Sequence, residues 1–553
     1  MTHIPTRAAP YLVTLNPDYI APLSARTVTL NDIAATLTAQ VSSFRAMGDV
    51  TSDDGTPDDS AIVEKLGVTD DDPHTLLVTL SEDERTALAS SYGAAILIEP
   101  DIDIDMFDTL PHGAGPVGAL NFFASAAGAL TLDVVVKSTD GLPVPRAEIS
   151  VQGSQAYSLV SAVTDTAGKA TLTLYGETAA SLRDIKVKPS ADYWGLVIAR
   201  PDLTGLPVKK KAIQVALDLT PITLHTSEDD VWGYRAMGLD RAPSAAAKPV
   251  RIAVIDSGIA ASHDDLDPAG GHDFTNRGDA TNAWRDDLSG HGTHVAGTCA
   301  ALFNGRGICG AAGPQAQVFG LSVFPGGRAS SLIAALDWCC THKIDVVNMS
   351  LGSAQGTTAL HQAIIRSVND GITLVAAAGN AARPVMFPAA YPEVIAVAAI
   401  GKTGSFPANS PHAAHIGTHR AGEYFSAAFT CFGPEIDVAA PGVAVISAVP
   451  SDANASYAAN DGTSMASPYV AGFAARLLAT SAALQSLPRD QSRVAAMKTA
   501  LLQTCVDVGL PSAFQGSGLP VWPVDAPAPA PAQSTTLVTQ LRQISAQLSR
   551  ELA

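Results

Sequence analysis

Three short islands of the chain carry side chains that together could turn a hydroxyl into a nucleophile. Asp256 closes the apolar run RIAVIDSG, His291 lies in GHGTHVAGT and Ser464 in GTSMASPYVAG. A serine oxygen attacks a carbonyl poorly unless an imidazole takes its proton, and the imidazole needs a carboxylate to hold its tautomer and stabilise the imidazolium. Asp256, His291 and Ser464 have the types for those roles, which points to acyl transfer. The local pattern Gly462-x-Ser464-x-Ala466 is not the G-x-S-x-G of a strained strand-to-helix elbow. His294 follows His291 by three residues and raises a zinc reading. The H-E-x-x-H pattern needs a glutamate and an i, i+4 pair, and both are missing, so His294 is expected to be a satisfied helix residue.

In chain order the islands run acid, histidine, serine. With NMSLG and AAAGN between them, they closely resemble the subtilisin-like serine proteases over roughly the second half of the chain. The resemblance implies a serine endopeptidase that works through an acyl-enzyme on protein or peptide substrates and is made as a latent precursor. It implies that Asn380 supplies a side-chain oxyanion donor beside the Ser464 amide, and that Ser350, Leu351 and Gly352 form the substrate-binding strand. Met386 stands where many relatives have glycine at the base of the primary pocket, and the loop from Asn380 to Phe387 is short, so small to medium apolar side chains are expected before the cut. No cofactor is implied for the chemistry. Structural calcium is common in the family, and Asp265 and Asn304 match its tight site, although calcium takes about 6 to 8 oxygens. The rival reading is a binding scaffold that kept the fold and lost activity; Asp256, His291, Asn380 and Ser464 all being present weighs against it.

These residues need rigid elements to hold them. The runs VRIAVI, IDVVNM, ITLVAA, VIAVAA and IDVAA are almost wholly apolar, as parallel strands covered on both faces are. Asp256, the Ser350 segment and Asn380 fall at the carboxyl ends of such runs, where open α/β sheets gather ligands. The expected fold is α/β, a subtilisin-like parallel sheet with helices on both faces over residues 226–525. A small α/β unit precedes it over 1–112, with strands at 11–15 and 76–80, a helix through Leu30, Ile33, Leu37 and Val41, and a capping box from Ser81 to Glu84. That unit resembles the inhibitory propeptides of the family, which implies an intramolecular inhibitor; an unrelated α/β adaptor is the alternative. Residues 113–225 alternate with period two and predict an antiparallel β-sandwich that resembles carboxypeptidase regulatory-like modules. An insertion at about 403–426 reads as surface loop or flap. Residues 526–553 hold APAPAPA, a stiff linker, and a helical stripe through Leu537, Leu541, Ile544 and Leu548.

The 553 residues are enough for about three or four domains. With 47% apolar and 16% charged residues the chain is globular. Its net charge of −19 argues against nucleic acid and anionic lipid as partners. Val117 to Leu132 is interrupted by polar residues, so no membrane span is expected. All six cysteines lie in the second half without zinc spacing, and the opening residues lack a signal-type apolar core. Those two features predict buried thiols and a cytoplasmic location.

Overall fold

The computed structural model describes residues 8–17, 29–35, 37, 63–67, 73–106, 128–155, 159–224, 231–242, 248–275, 279–450 and 456–523. Val41, the Pro-Ala linker and the carboxyl-terminal stripe lie outside the described residues.

The apolar runs of the second half form one sheet because each strand buries both faces. Its order is Gly270–Asp273, Ala316–Ser322, Val250–Asp256, Val346–Met349, Thr373–Ala377 and Ile395–Lys402, all parallel, with Val438–Pro441 also pairing in parallel with Ile395–Lys402. Helices His291–Ala300 and Thr463–Thr480 pack together, as do Ala329–Thr341 and Thr358–Asn369, and both pairs lie against the sheet. The result is the expected α/β architecture. Ala316–Ser322 escaped the sequence reading, although AQVFGLS has the same apolar character; its glycine masks a strand that the sheet buries on both sides. The 403–426 insertion is neither flap nor simple loop. Ile416–Ala421 and Tyr424–Ala427 form a hairpin that extends the sheet in antiparallel fashion beyond Ile395–Lys402.

Residues 129–219 form two four-stranded sheets around a separate apolar core built from Val134, Val136, Ile149, Val151, Leu172 and Val187, among others. One pairing departs from the antiparallel expectation. Ala129–Ser138 and Ala212–Leu219 run parallel, because the chain crosses to the other sheet and back between them and a parallel pair needs such a crossover. Near the amino terminus, Ala9–Leu15 lies between Thr75–Leu80 and Ile96–Pro100, with Val63–Leu66 at the edge. The box from Ser81 to Glu84 caps helix Glu82–Tyr92 as expected.

That small sheet has two faces with different tasks. Val13 packs into its own core with Leu76 and Val78, whereas the adjacent Leu12 packs into the core of the large unit, as period-two alternation requires. Polar contacts fix the docking. The Glu99 carboxylate accepts from the Thr358 and Ala359 amides at 2.9 and 3.1 Å, and Asp101 accepts from the Ser330 amide and hydroxyl at 2.9 and 2.8 Å. Each carboxylate thus caps the exposed amides at the start of a helix in the large unit. Burial is the main influence on the Asp101 carboxyl and raises its pKa, with Ser330 and Arg328 acting against it.

Replacing Glu99 with Ala should remove about 1 kcal/mol of this capping. Hydrogen exchange at Thr358 and Ala359 should then quicken about fivefold while the amides of Val346–Met349 stay as protected as before.

Candidate active site

Asp256 is the last residue of the Val250–Asp256 strand and is fully buried. Its Oδ1 accepts from the Ser257 amide at 2.8 Å and lies 2.8 Å from His291 Nδ1. A carboxylate in that position selects the tautomer with hydrogen on Nδ1, which makes Nε2 the basic nitrogen. His291 is the first residue of helix His291–Ala300 and is itself buried. Gly292 permits this approach of helix to strand, because a Cβ there would stand 2.2 Å from the Gly258 carbonyl oxygen.

A second buried carboxylate, which sequence reasoning missed, holds the start of that helix. Asp287 accepts from the Ser289 and Gly290 amides at 3.2 and 2.9 Å through Oδ1, and from the Thr293 amide and hydroxyl at 2.7 Å each through Oδ2. The Ser257 hydroxyl donates to Asp287 at 2.8 Å and accepts from the Gly292 amide at 3.0 Å. Asp287 therefore ties the residue after Asp256 to the turn that carries His291. The signal was present in DDLSGH: an aspartate a few residues ahead of a helix start can turn back to accept from the amides that the first turn leaves open.

Ser464 is the second residue of helix Thr463–Thr480 and is buried. Its hydroxyl donates to the Ser350 carbonyl oxygen at 3.2 Å, and its own carbonyl accepts from Ser350 Oγ at 2.9 Å. Asn348 Nδ2 donates to the same Ser350 hydroxyl at 2.9 Å, so the strand carrying Ser350 and the helix carrying Ser464 are locked together. The Asn380 side chain accepts from the Thr463 amide at 2.9 Å and the Thr463 hydroxyl at 2.8 Å through Oδ1. With its oxygen committed to Thr463, the amide is fixed with its NH2 group turned away from that residue. The helix amino terminus beside it favours negative charge. Met386 packs beneath this segment; a Cβ on Gly379 would meet its sulfur at 2.7 Å.

The expected substrate strand is occupied by the chain itself. Leu351 pairs with Met106 and Gly352 with Asp105 in antiparallel register. On the other side, the Ile104 amide donates to the Gly327 carbonyl at 2.9 Å and the Ala329 amide to the Ile102 carbonyl at 3.0 Å. Residues 102–106 thus lie as a middle strand between two edges. Ile104 is buried in the main core, and the Ser289 hydroxyl, two residues from His291, lies 4.0 Å from the Met106 sulfur.

His294 is a satisfied helix residue: its Nε2 lies 2.9 Å from the Val445 carbonyl oxygen and 3.1 Å from that of Ala458. Asp265 and Asn304 do come together, with Asn304 Nδ2 donating to Asp265 Oδ1 at 3.3 Å. Asp265 Oδ2 also accepts from the Ile308 amide at 3.0 Å and the Tyr457 hydroxyl at 3.1 Å, and Arg306 pairs with neighbouring Asp264 at 3.1 Å. A carboxylate ringed by hydrogen-bond donors beside a guanidinium is not a calcium cradle, which must present oxygens. Among the described residues, no cluster of three or more His, Cys, Asp or Glu is arranged to hold a metal. All six cysteines are free thiols, five of them buried, and burial pushes Cys299 up to about 12.

Comparison with known proteins places this geometry. The profile of the subtilase family matches residues 247–518. Subtilisin DY of Bacillus licheniformis is 39% identical over 237 residues, covering 41% of this chain and 76% of that protein. Subtilisin NAT of Bacillus subtilis subsp. natto is 40% identical over the same length, covering 41% of this chain and 55% of its own. The thermostable alkaline protease of Halalkalibacterium halodurans is 35% identical over 335 residues, covering 58% of this chain and 81% of that protein. These findings correct one expectation. One relative, 37% identical over 235 residues, is the minor extracellular protease Epr of Bacillus subtilis, which conflicts with a cytoplasmic location. Buried thiols arise from packing in any compartment and carried no information on that point. Among the described residues, no helix is long and apolar enough to cross a membrane.

Asp287→Ala leaves the Thr293, Gly290 and Ser257 donors buried without their acceptor and should destabilise the protein by about 2 to 3 kcal/mol. Urea unfolding of that variant on a Ser464→Ala background, beside Ser464→Ala alone, measures the difference.

Proposed function

The chain belongs to the subtilase family and is a subtilisin-like serine endopeptidase, and on that premise we propose that Asp256, His291 and Ser464 are its acid, base and nucleophile. The observation that carries the assignment is the buried 2.8 Å contact between Asp256 Oδ1 and His291 Nδ1, which fixes Nε2 as the proton acceptor. His291 Nε2 takes the Ser464 proton as Oγ attacks the scissile carbonyl carbon, and Asp256 stabilises the imidazolium. The tetrahedral oxyanion is met by the Asn380 NH2 group and the Ser464 amide. His291 then protonates the leaving nitrogen, the C–N bond breaks, and the acyl-enzyme is hydrolysed by water that the same imidazole activates. The family's chemistry needs no cofactor. Structural calcium at Asp265 and Asn304 has no support in the donor arrangement around that carboxylate.

The substrate lies against Ser350, Leu351 and Gly352, whose edge pairs with backbone and asks little of side chains. Met386 floors the pocket beneath Asn380 and limits it to small or medium apolar side chains. We read residues 1–112 as an intramolecular inhibitor, 113–225 as a sandwich module, 226–525 as the catalytic unit and 526–553 as a linker and tail. The antiparallel seat of Asp105 and Met106 on Gly352 and Leu351 supports the inhibitor reading, since an occupied edge excludes substrate.

A fluorophosphonate probe should label the processed protein and leave Ser464→Ala unlabelled; equal labelling of both would remove Ser464 from the mechanism. Asn380→Ala should lower kcat by about 10² to 10³ with KM little changed, the scale established for such a donor in a subtilisin. Intact-mass measurement checks the latency: wild type should trim its own amino-terminal region, whereas Ser464→Ala stays whole, and identical uncut masses for both would remove the inhibitor reading of residues 1–112.

A further inference from the structure

We propose that the β-sandwich is a working part of the catalytic unit: through Asp192 and Trp194 it clamps the strand and turn that deliver Ser464, with His412 and Asp461 as positioning residues. The inference rests on Ser464 being the nucleophile.

The clamp has two jaws, both from one loop of the sandwich. Asp192 exchanges backbone hydrogen bonds with the Ser456–Asn460 strand: its amide donates to the Tyr457 carbonyl at 2.7 Å, and its carboxylate accepts from the Tyr457 amide at 2.9 Å and the Ser456 hydroxyl at 2.9 Å. That strand runs without interruption into Asp461, Gly462 and the helix bearing Ser464. Trp194 forms the second jaw, its ring edge-on to His412 with centroids 5.6 Å apart. His412 belongs to the 403–426 insertion, and its Nδ1 lies 2.7 and 2.8 Å from the two oxygens of Asp461. Asp461 precedes Ser464 by three residues and also accepts from the Ala444 amide at 2.6 Å. The approach is close throughout. A Cβ on Gly195 would stand 2.9 Å from Pro411, and the Val197 amide donates to the Asn409 carbonyl at 2.7 Å.

Such a buried pair is poorly suited to plain adhesion, because the cost of taking a carboxylate and its imidazole partner out of water offsets most of their attraction. It is well suited to fixing geometry. Asp461 and His412 are 2% and 5% exposed, so the carboxylate holds one position relative to the imidazole, and Trp194 holds that imidazole. Burial works to raise the Asp461 carboxyl, but His412, with His415 and the Ala444 amide behind it, holds it below its usual range. The carboxylate therefore stays ionised and bound. On this reading the sandwich remains with the enzyme after the inhibitor leaves, and its loss would loosen the turn that aims Ser464.

The test uses the full chain and its self-processed form. Trp194→Ala leaves the proposed acid, base and nucleophile untouched, and should lower kcat on a peptide substrate about tenfold with KM within twofold, part of the roughly 100-fold that a 1 Å misplacement costs. Fluorophosphonate labelling of Ser464 should slow in parallel, and Trp194→Phe, which again presents a ring edge, should recover most of both. If the alanine variant fails to fold, Trp194→Leu fills the space without a ring edge and takes its place with the same expectation. A kcat and labelling rate within twofold of wild type for the folded variant overturn the inference while the active-site assignment stands. Wild type that fails to label at Ser464 overturns both.

Discussion

A buried carboxylate needs hydrogen bonds from the protein around it, and the way Asp256 finds them organises the structure nearby. It sits at the end of a strand covered on both faces, so its partners come from the next elements in space: the Ser257 amide and the His291 imidazole. Meeting that demand forces a helix start against a strand end, which only a glycine at position 292 allows. It also requires a second carboxylate, Asp287, to satisfy the amides that the same turn exposes. One buried charge thus fixes a tautomer, a helix position and a packing distance together.

The cleft is shaped by edges. Two backbone edges, one at residues 327–329 and the other at Leu351–Gly352, take in a strand between them, and in this chain the strand is the 102–106 segment. Glu99 and Asp101 lie directly before it and cap the helices that follow those edges, so the segment is anchored by charge at the point where it enters the cleft. Any segment seated in this way takes up main-chain hydrogen bonds of those edges and asks little of its side chains. The sandwich in turn reaches the strand that leads to Ser464, where the Tyr457 amide donates to the Asp192 carboxylate.

Much of this was legible because local chemistry and long-range fold agree. Short continuous apolar runs are what strands buried on both faces require, and they gave five of the sheet's strands; the capping box at Ser81 was visible from two residues. The reading failed where burial depends on what lies across in space. Ala316–Ser322 carries a glycine that weakens the local pattern, although its neighbours on both sides make it a strand. The 403–426 insertion is polar enough to pass for a loop, yet its Tyr424–Ala427 strand finds the carboxyl end of Ile395–Lys402. The parallel pair in the sandwich follows from a crossover that no periodicity encodes. The groups that share the Asp265 carboxylate, the Ile308 amide and the Tyr457 hydroxyl, likewise come from elsewhere in the chain and leave no local pattern.

The sequence by itself determined the residue types of the chemistry, their order and the strand ends that present them, because those depend on side-chain identity and on short-range patterning. Which atoms meet was decided only by the tertiary structure: Asp287 beneath His291, Thr463 orienting Asn380, Met106 on Leu351, Trp194 against His412. Each joins segments far apart in the chain, and such contacts are set by how whole sheets and helices pack, a property of no single stretch of residues.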